Sequence, residues 1–227
     1  MTKPRSAMVF AAGFGTRMGA LTEHSPKAMI EVAGRPLIDH AIDPILSAEI
    51  PNVIANLHYR PDVLRLHLEG RGITTITEHP EILETGGGLL NALPLLGPDP
   101  VLTMNSDAVW HGPNPIGPLC SAWDPDQMDA LLLLVPRDRA HGHAGKGSFT
   151  LDTENRISWH PDLVYTGLQI LRTDTLAAVG KSAFSLREVW QPMIEAGRVH
   201  GLIYDGHWCD VGRPAGIAEA EAMLAAG

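Results

Sequence analysis

The chain has 227 residues, of which 44% are hydrophobic, and its 17 Lys and Arg against 26 Asp and Glu leave a net charge of −9. That acidic balance argues against nucleic acid or an anionic membrane as the main partner. The two cysteines are too few for a disulfide framework or a closed zinc site, and the apolar runs are too short to cross a membrane, so we expect a cytoplasmic protein.

Short apolar strands alternate with helices along the first half of the chain, which is typical of buried parallel strands joined by crossover helices. The pattern predicts an α/β fold with a doubly wound, mostly parallel Rossmann-like sheet, in a single domain over residues 1–227. In such sheets, ligands bind beyond the carboxyl ends of the strands. The predicted strands are residues 8–12, 53–57, 73–77, 100–104 and 130–135, and the predicted helices are residues 37–46, 61–68 and 87–96.

The second half changes character, because its strand candidates are short and are not separated by long helices. They predict a small antiparallel extension over the sheet. Its strands are residues 147–152, 156–160, 164–171 and 199–204, followed or interrupted by helices at 186–196 and 214–226.

A glycine-rich loop follows the first predicted strand and suggests an anion site. Gly13 and Gly15 allow a tight turn in which several N–H groups face a phosphate. Arg17 grips phosphate oxygens bidentately, and Lys27 adds a point charge. A dinucleotide-binding loop is the rival interpretation, but Pro26 interrupts the helix which that motif requires, and no P-loop motif occurs.

Two aspartates follow strand-like segments far apart in the chain. Asp107 closes Asn105-Ser106-Asp107, and Asp210 lies in Trp208-Cys209-Asp210-Val211-Gly212. Taken alone, Asp107 is better explained as the cap of a turn. Together the two aspartates are carboxylates able to share one Mg²⁺, a metal that favours one or two carboxylates plus substrate phosphates.

Two further segments are candidates to bind the base and the sugar. The run Glu84-Thr85-Gly86-Gly87-Gly88 precedes a helix and offers bare backbone to a flat base, with Glu78 or Glu84 assisting. A flexible helix entrance is the alternative interpretation of this run. Tyr165-Thr166-Gly167 opens a strand and offers a hydroxyl to a sugar.

In this order, the segments A-A-G-F-G-T-R-M, P-K, N-S-D and W-C-D-V-G resemble the sugar-1-phosphate nucleotidyltransferases over nearly the whole chain. The short length and E-T-G-G-G are most similar to the N-acetylmuramate-1-phosphate uridylyltransferase branch. The resemblance implies that a nucleoside triphosphate, UTP by that likeness, reacts with a sugar-1-phosphate to release pyrophosphate. It leaves the oligomeric state open between a monomer and a homodimer.

The resemblance also implies roles for individual residues. The nucleotide would contact Ala12, Gly13, Gly15, Thr16, Arg17, Lys27, Glu78 and Gly86; the sugar Asn105, Gly147, Tyr165, Thr166 and Gly167; Mg²⁺ would lie on Asp107 and Asp210; and catalysis would rest on Arg17, Lys27 and Asp107.

The chain departs from the family pattern on the sugar side, because no E-K-P-like segment precedes Tyr165. In many relatives its lysine contacts the sugar phosphate, and Lys146, Arg137 and Arg213 are the candidates to replace it. Two other functions stay open. One is mannose-1-phosphate guanylyltransferase; the other is a non-catalytic sensor of a nucleotide sugar, against which the intact set of Arg17, Lys27 and the two aspartates argues.

Overall fold

The central β-sheet is made of apolar strands whose side chains alternate between two cores. The computed structural model describes residues 3–97 and 100–226. In strand Ser6–Phe10, Ala7 and Val9 pack into one core while Met8 packs into the other. Because successive side chains of a strand point to opposite faces, a strand that is apolar at every position requires cover on both sides.

The elements of the described residues are the following. The strands are β1 (Ser6–Phe10), β2 (Glu31–Val32), β3 (Arg35–Pro36), β4 (Asn52–Leu57), β5 (Thr74–Thr77), β6 (Val101–Asn105), β7 (Ala108–His111), β8 (Ala130–Val135), β9 (Ala140–His141), β10 (Phe149–Leu151), β11 (Ile157–Trp159), β12 (Val164–Leu171), β13 (Val199–Ile203) and β14 (His207–Asp210). The α-helices are α1 (Leu37–Ser47), α2 (Pro61–Glu69), α3 (Glu84–Leu96), α4 (Ile116–Ala122), α5 (Leu186–Glu195) and α6 (Ala215–Ala225).

The central sheet has seven strands within the described residues, in the order β13-β8-β12-β6-β1-β4-β5. Neighbouring strands run parallel, except that β12 is antiparallel to both β6 and β8. Helices α1 and α2 pack on one face through residues such as Ile38 and Leu64, and α3 and α5 cover the other through Leu89 and Val189. The predicted α/β fold with a doubly wound, mostly parallel sheet is therefore confirmed.

Two strands predicted for the antiparallel extension belong to the central sheet instead. The segment predicted as 164–171 is β12 and the segment predicted as 199–204 is β13. Seven of the eight residues of β12 are buried, which is the environment of an interior strand. The extension consists of the β10–β11 hairpin, and a separate three-stranded sheet is formed by β7, β14 and β9.

Two element boundaries differ from the prediction at the edge where ligands are expected. Strand β1 ends at Phe10 rather than at residue 12, because the Ala11 N–H donates to Asn56 Oδ1 at 2.9 Å. Helix α3 begins at Glu84 rather than at residue 87, so it includes all three glycines of the run. In the register of the sheet, Phe10 lies between Asn56 of β4 and Asn105 of β6, so the carboxyl ends of three strands meet.

The helices of the described residues include none that is both long and apolar enough to span a membrane. The predicted single domain, residues 1–227, includes residues 1, 2, 98, 99 and 227, which lie outside the described residues. That domain assignment stays a prediction.

Candidate active site

A cleft of about 290 Å³ opens at the carboxyl ends of β1, β4 and β6. Its position agrees with the general rule for open α/β sheets. The residues that line it are Phe10, Ala11, Ala12, Gly13, Gly15, Thr16, Arg17, Lys27, Ala28, Asn56, Ile82, Glu84, Thr85, Asn105, Ser106, Asp107 and Gly212.

The loop after β1 takes its shape from Gly15. This residue has φ 65°, and its carbonyl accepts the Met18 N–H at 2.8 Å as the 3-10 helix Thr16–Thr22 begins. A Cβ at Gly15 would lie 2.8 Å from Lys27 Cβ. The glycine is therefore needed both for the left-handed turn and for the close approach of Lys27, which brings its ammonium group into the cleft.

Asp107 and Lys27 form an ion pair in the cleft. Asp107 lies in the tight connection between β6 and β7, and its Oδ2 accepts a hydrogen bond from Lys27 Nζ at 2.8 Å. The two side chains are 28% and 14% exposed, so the pair is partly shielded from water. Such charge-assisted bonds are stronger than neutral ones.

Asp210 reaches the same place from the end of β14. It pairs with Ala108 of β7, and the Val211 N–H donates to the Asp107 carbonyl at 2.9 Å. Burial and the negative charge of Asp107 raise the pKa of Asp210, against the opposing charges of Lys27, Arg17 and His143. The charges of the two carboxylates therefore interact, and their shared binding of Mg²⁺ stays a prediction.

Gly212 lies between Asp210 and Arg17. A Cβ at this glycine would be 2.9 Å from Asp210 Oδ1 and 3.0 Å from Arg17 Nη2. The guanidinium of Arg17 is thus close to the paired carboxylates, and the cleft brings two cations and two anions together.

The donor set at this point fits Mg²⁺ delivered with a nucleotide. The described residues contain no group of three or more His, Cys, Asp or Glu side chains able to hold a metal ion by themselves. Two carboxylates that leave other positions for phosphate oxygens are what Mg²⁺ commonly uses.

Of the residues predicted for the base, Glu84 lines the cleft, whereas Glu78 and Gly86 do not. Glu78 is 1% exposed, and its carboxylate accepts hydrogen bonds from Asn56 Nδ2 at 2.6 Å and from the Leu83 N–H at 2.7 Å. Gly86 is buried in α3, where its N–H donates to the Phe184 carbonyl and an added Cβ would lie 2.4 Å from the Phe184 ring. The backbone of the glycine run is thus packed against the protein itself, and the position of Glu78 and Gly86 near the base stays a prediction.

On the sugar side, Tyr165 and Thr166 point into the protein. Tyr165 packs at 5.2 Å from the Trp190 ring, and burial raises the pKa of its hydroxyl, which is hydrogen-bonded with Thr103. Thr166 Oγ1 donates to the Leu133 carbonyl at 2.8 Å. Both hydroxyls have hydrogen-bond partners within the protein, and their contact with a sugar stays a prediction.

Asn105, Gly167 and Gly147 have different positions. Asn105 lines the cleft, as predicted. Gly167, with φ 85°, does not; an added Cβ would lie 2.7 Å from Asn105 Cγ, so this glycine makes room for the Asn105 side chain. Gly147, with φ 93°, packs against the Leu163 carbonyl and also does not line the cleft.

Sequence reasoning missed several lining residues and left one question unanswered. Ala28, Asn56 and Ile82 line the cleft without having been given a role, whereas Thr85 belongs to the predicted run that begins at Glu84. The signal for Asn56 was a polar residue near the end of the apolar run V-I-A-N-L. Among the described residues, the lining of the cleft includes neither Lys146 nor Arg137 nor Arg213, the candidates for the sugar-phosphate cation.

Comparisons with known proteins agree with this geometry. A family model described as MobA-like NTP transferase domain matches residues 7–210. The chain is 37% identical to N-acetylmuramate alpha-1-phosphate uridylyltransferase of Caulobacter vibrioides, over 98% of each chain. It is 30% identical to the protein of the same name from Neisseria meningitidis serogroup B, over 97% of this chain and 98% of that one.

A solved structure shows the same fold. The inositol-1-phosphate CTP transferase from T. maritima superposes with a TM-score of 0.78 at 18% identity, covering 100% of this chain and 98% of that chain.

Proposed function

This chain belongs to the MobA-like NTP transferase domain family, and from that premise we propose that it couples UTP to N-acetylmuramate-1-phosphate with release of pyrophosphate. In reaction class it is a sugar-1-phosphate nucleotidyltransferase. The observation that carries the chemistry is that Arg17, Lys27 and Asp107 line one cleft, with the Asp210 carboxylate next to it behind Gly212. The choice of UTP and of this sugar is supported by the 37% identity to the Caulobacter uridylyltransferase over 98% of both chains.

The reaction requires little covalent help from side chains. An oxygen of the sugar phosphate attacks the α-phosphorus of the nucleotide, the bond to the β-phosphate oxygen breaks, and pyrophosphate leaves. Because the attacking phosphate is already an anion at neutral pH, no general base is needed. The barrier is the approach of two anions in line, so positioning and charge neutralisation dominate.

Each cation of the cleft has a proposed part in that neutralisation. Arg17 stabilises the group being transferred, because its planar guanidinium binds phosphate oxygens at two points. Lys27 stabilises the departing pyrophosphate, and to do so its ammonium exchanges the Asp107 carboxylate for phosphate oxygens. Gly13 and Thr16 line the cleft on the loop that would carry the triphosphate.

Asp107 and Asp210 would hold Mg²⁺ through their carboxylates. When bound, the ion would neutralise charge on the phosphates as a Lewis acid. Burial and then the charge of Asp107 raise the pKa of Asp210, and Asp107 itself pairs with Lys27, so a cation bound here would neutralise negative charge.

The test is a pyrophosphate-release assay with each common nucleoside triphosphate paired with each of three sugar-1-phosphates, namely N-acetylmuramate, N-acetylglucosamine and mannose. We expect the highest kcat/KM for UTP with N-acetylmuramate-1-phosphate. N-acetylglucosamine-1-phosphate is the matched control, since it differs only in lacking the lactyl ether.

Other outcomes of this assay would replace the proposal. Preference for GTP with mannose-1-phosphate would identify a guanylyltransferase. Binding of a nucleotide sugar without pyrophosphate release from any pair would identify a sensor, and would contradict catalysis by this cleft.

A further inference from the structure

A buried hydrogen-bond network joins the two sides of the cleft. Asn56, near the end of β4, is 3% exposed; its Oδ1 accepts the Ala11 N–H at 2.9 Å, and its Nδ2 donates to Glu78 Oε1 at 2.6 Å. Ala11 begins the glycine-rich loop that lines the cleft. The Asn56 amide therefore fixes the point at which the chain leaves β1.

Glu78 continues the network to the opposite wall of the cleft. Its own N–H donates to the Leu57 carbonyl at 2.8 Å, and its Oε2 accepts the Leu83 N–H at 2.7 Å. Leu83 lies between Ile82 and Glu84, both of which line the cleft. Glu78 itself is 1% exposed and does not line it.

Gly88 makes room for this arrangement. A Cβ at that position of α3 would lie 2.6 Å from Glu78 Oε1 and 2.8 Å from Asn56 Nδ2. Burying a carboxylate costs free energy unless the carboxylate is hydrogen-bonded. Gly88 leaves space for the Glu78 carboxylate and its hydrogen bonds between the two walls of the cleft, which indicates that this carboxylate has a role there.

We propose that Asn56 and Glu78 are positioning residues. They set the distance between the glycine-rich loop, which begins at Ala11, and the opposite wall of the cleft, which is formed by residues 82–85. Glu78 acts through Asn56 and Leu83 and does not touch the nucleotide. The inference rests on the proposed nucleotide site, but not on the choice of base or sugar.

Reversing the polarity of the pair tests this role. In Glu78→Gln, the amide NH₂ replaces one carboxylate oxygen and faces a donor, either Asn56 Nδ2 or the Leu83 N–H. In Asn56→Asp, two carboxylates face each other. In the double variant, the new carboxylate at position 56 accepts from the Ala11 N–H and from the new amide at position 78. The oxygen of that amide accepts the Leu83 N–H, so every bond is restored and the bond between the two side chains has its direction reversed.

The first readout is the Kd for UTP with Mg²⁺, measured by calorimetry without a sugar phosphate. We expect each single variant to raise Kd and KM for UTP by about tenfold or more, since a buried donor or charge loses its partner. The value of kcat should change by less than about threefold, and the double variant should recover the wild-type Kd within about threefold.

Asn52→Asp is the matched control at the other end of the same strand. Asn52 Nδ2 donates to the Leu95 carbonyl at 2.9 Å, away from the cleft. We expect this variant to lower Tm and leave the Kd for UTP unchanged, which separates general destabilisation from positioning.

Gly88→Ala keeps the test decisive if the single variants do not fold, because it displaces the network without removing a polar group. Gly117→Ala in α4 is its control, since an added Cβ there meets nothing within 4 Å. We expect only Gly88→Ala to raise the Kd for UTP.

An unchanged Kd in folded Glu78→Gln or in Gly88→Ala would overturn the positioning role. So would a folded double variant that binds no better than the single ones. Wild-type protein that binds UTP but releases no pyrophosphate with any sugar phosphate would contradict the proposed function alone.

Discussion

At the scale of single residues, the fold places the Asp210 carboxylate where its charged form is disfavoured. Burial and the neighbouring charge of Asp107 both raise its pKa, so its ionised form is disfavoured in the folded protein. We expect Asp210→Asn to reduce kcat/KM by about 100-fold or more, as for other preorganised charged groups.

The same Asp210→Asn substitution should raise Tm in the absence of metal, because it removes a repulsion present only in the folded state. Pyrophosphate release and thermal melts of one preparation measure both effects. A variant with lowered Tm would contradict the repulsion between the two carboxylates.

Lys27 is the second residue with opposed roles, since its ammonium pairs with Asp107 at 2.8 Å and is also proposed to bind phosphate oxygens. We expect Lys27→Ala to lower kcat/KM by about 100-fold and to tighten the binding of Mn²⁺ alone by about fivefold, because the ammonium no longer competes for the carboxylate. Calorimetric titration with Mn²⁺ gives the second value.

Lys181→Ala is the control for that substitution. Lys181 pairs with Glu188 at 2.6 Å on an exposed part of α5 and the segment before it. We expect Lys181→Ala to change neither kcat/KM nor the Mn²⁺ affinity. Weaker Mn²⁺ binding in Lys27→Ala would contradict competition between the Lys27 ammonium and the metal for the Asp107 carboxylate.

At the scale of elements, the loop after β1 depends on the conformation of Gly15. Gly15→Ala should cost about 1–2 kcal/mol for a left-handed φ and also displace Lys27, whose Cβ lies 2.8 Å from the added methyl group. We expect lower Tm together with a loss of kcat/KM.

Gly19→Ala separates these two effects within the same loop. Gly19 also has a positive φ, 58°, but an added Cβ meets nothing within 4 Å. It should lower Tm while leaving kcat/KM near the wild-type value; equal losses of activity in both variants would mean that backbone strain alone accounts for Gly15.

The placement of β12 was predicted wrongly, and this changes the surroundings of two residues. Tyr165 and Thr166 lie on β12, which was expected in an outer extension where hydroxyl groups would be free. In the central sheet they face neighbouring elements instead, and only Gly167 affects the cleft, through Asn105.

At the scale of the whole molecule, the cleft joins β1, β4, β6 and β14, so a bound nucleotide should stabilise the sheet as a unit. At a concentration about 100 times Kd, a ligand stabilises by about 2.7 kcal/mol, which for a chain of this size raises Tm by about 5–11 °C. We expect that shift with UTP and Mg²⁺ together and its loss when EDTA is added, measured by calorimetry. A shift that persists in EDTA would contradict a metal requirement for nucleotide binding.

Stability should also depend on pH through His200 of β13, which is buried with Nδ1 unpartnered among the described residues. Burial and the charge of Arg156 lower its pKa below the usual 6.5. The unfolded chain therefore binds a proton first as pH falls, so this contribution to stability is present above about pH 6.5 and is lost below it.

We expect His200→Gln to lose less stability than the wild type between about pH 8 and pH 5.5, measured by urea unfolding. His24→Gln at an exposed site should behave like the wild type. Parallel curves for all three proteins would exclude His200 as a contributor.

The sequence by itself determined the layers of the fold and the charged centre of the site. The alternation of apolar strands with helices predicted the doubly wound sheet, because a strand buried on both faces is apolar at nearly every position. The glycine loop with Arg17, Lys27 and Asp107 was predicted at the carboxyl edge of the parallel strands, and all four lie there, whereas Asp210 arrives from the separate sheet of β7, β14 and β9.

Tertiary structure alone decided where Glu78, Gly86, Tyr165 and Thr166 direct their polar groups. Their partners, Asn56, Phe184, Thr103 and Leu133, lie 22 or more residues away or on other strands. A polar residue near a strand end is equally suited to a ligand and to a buried partner. Which of the two it meets depends on strand order and packing, and these are set by contacts between segments that no local pattern encodes.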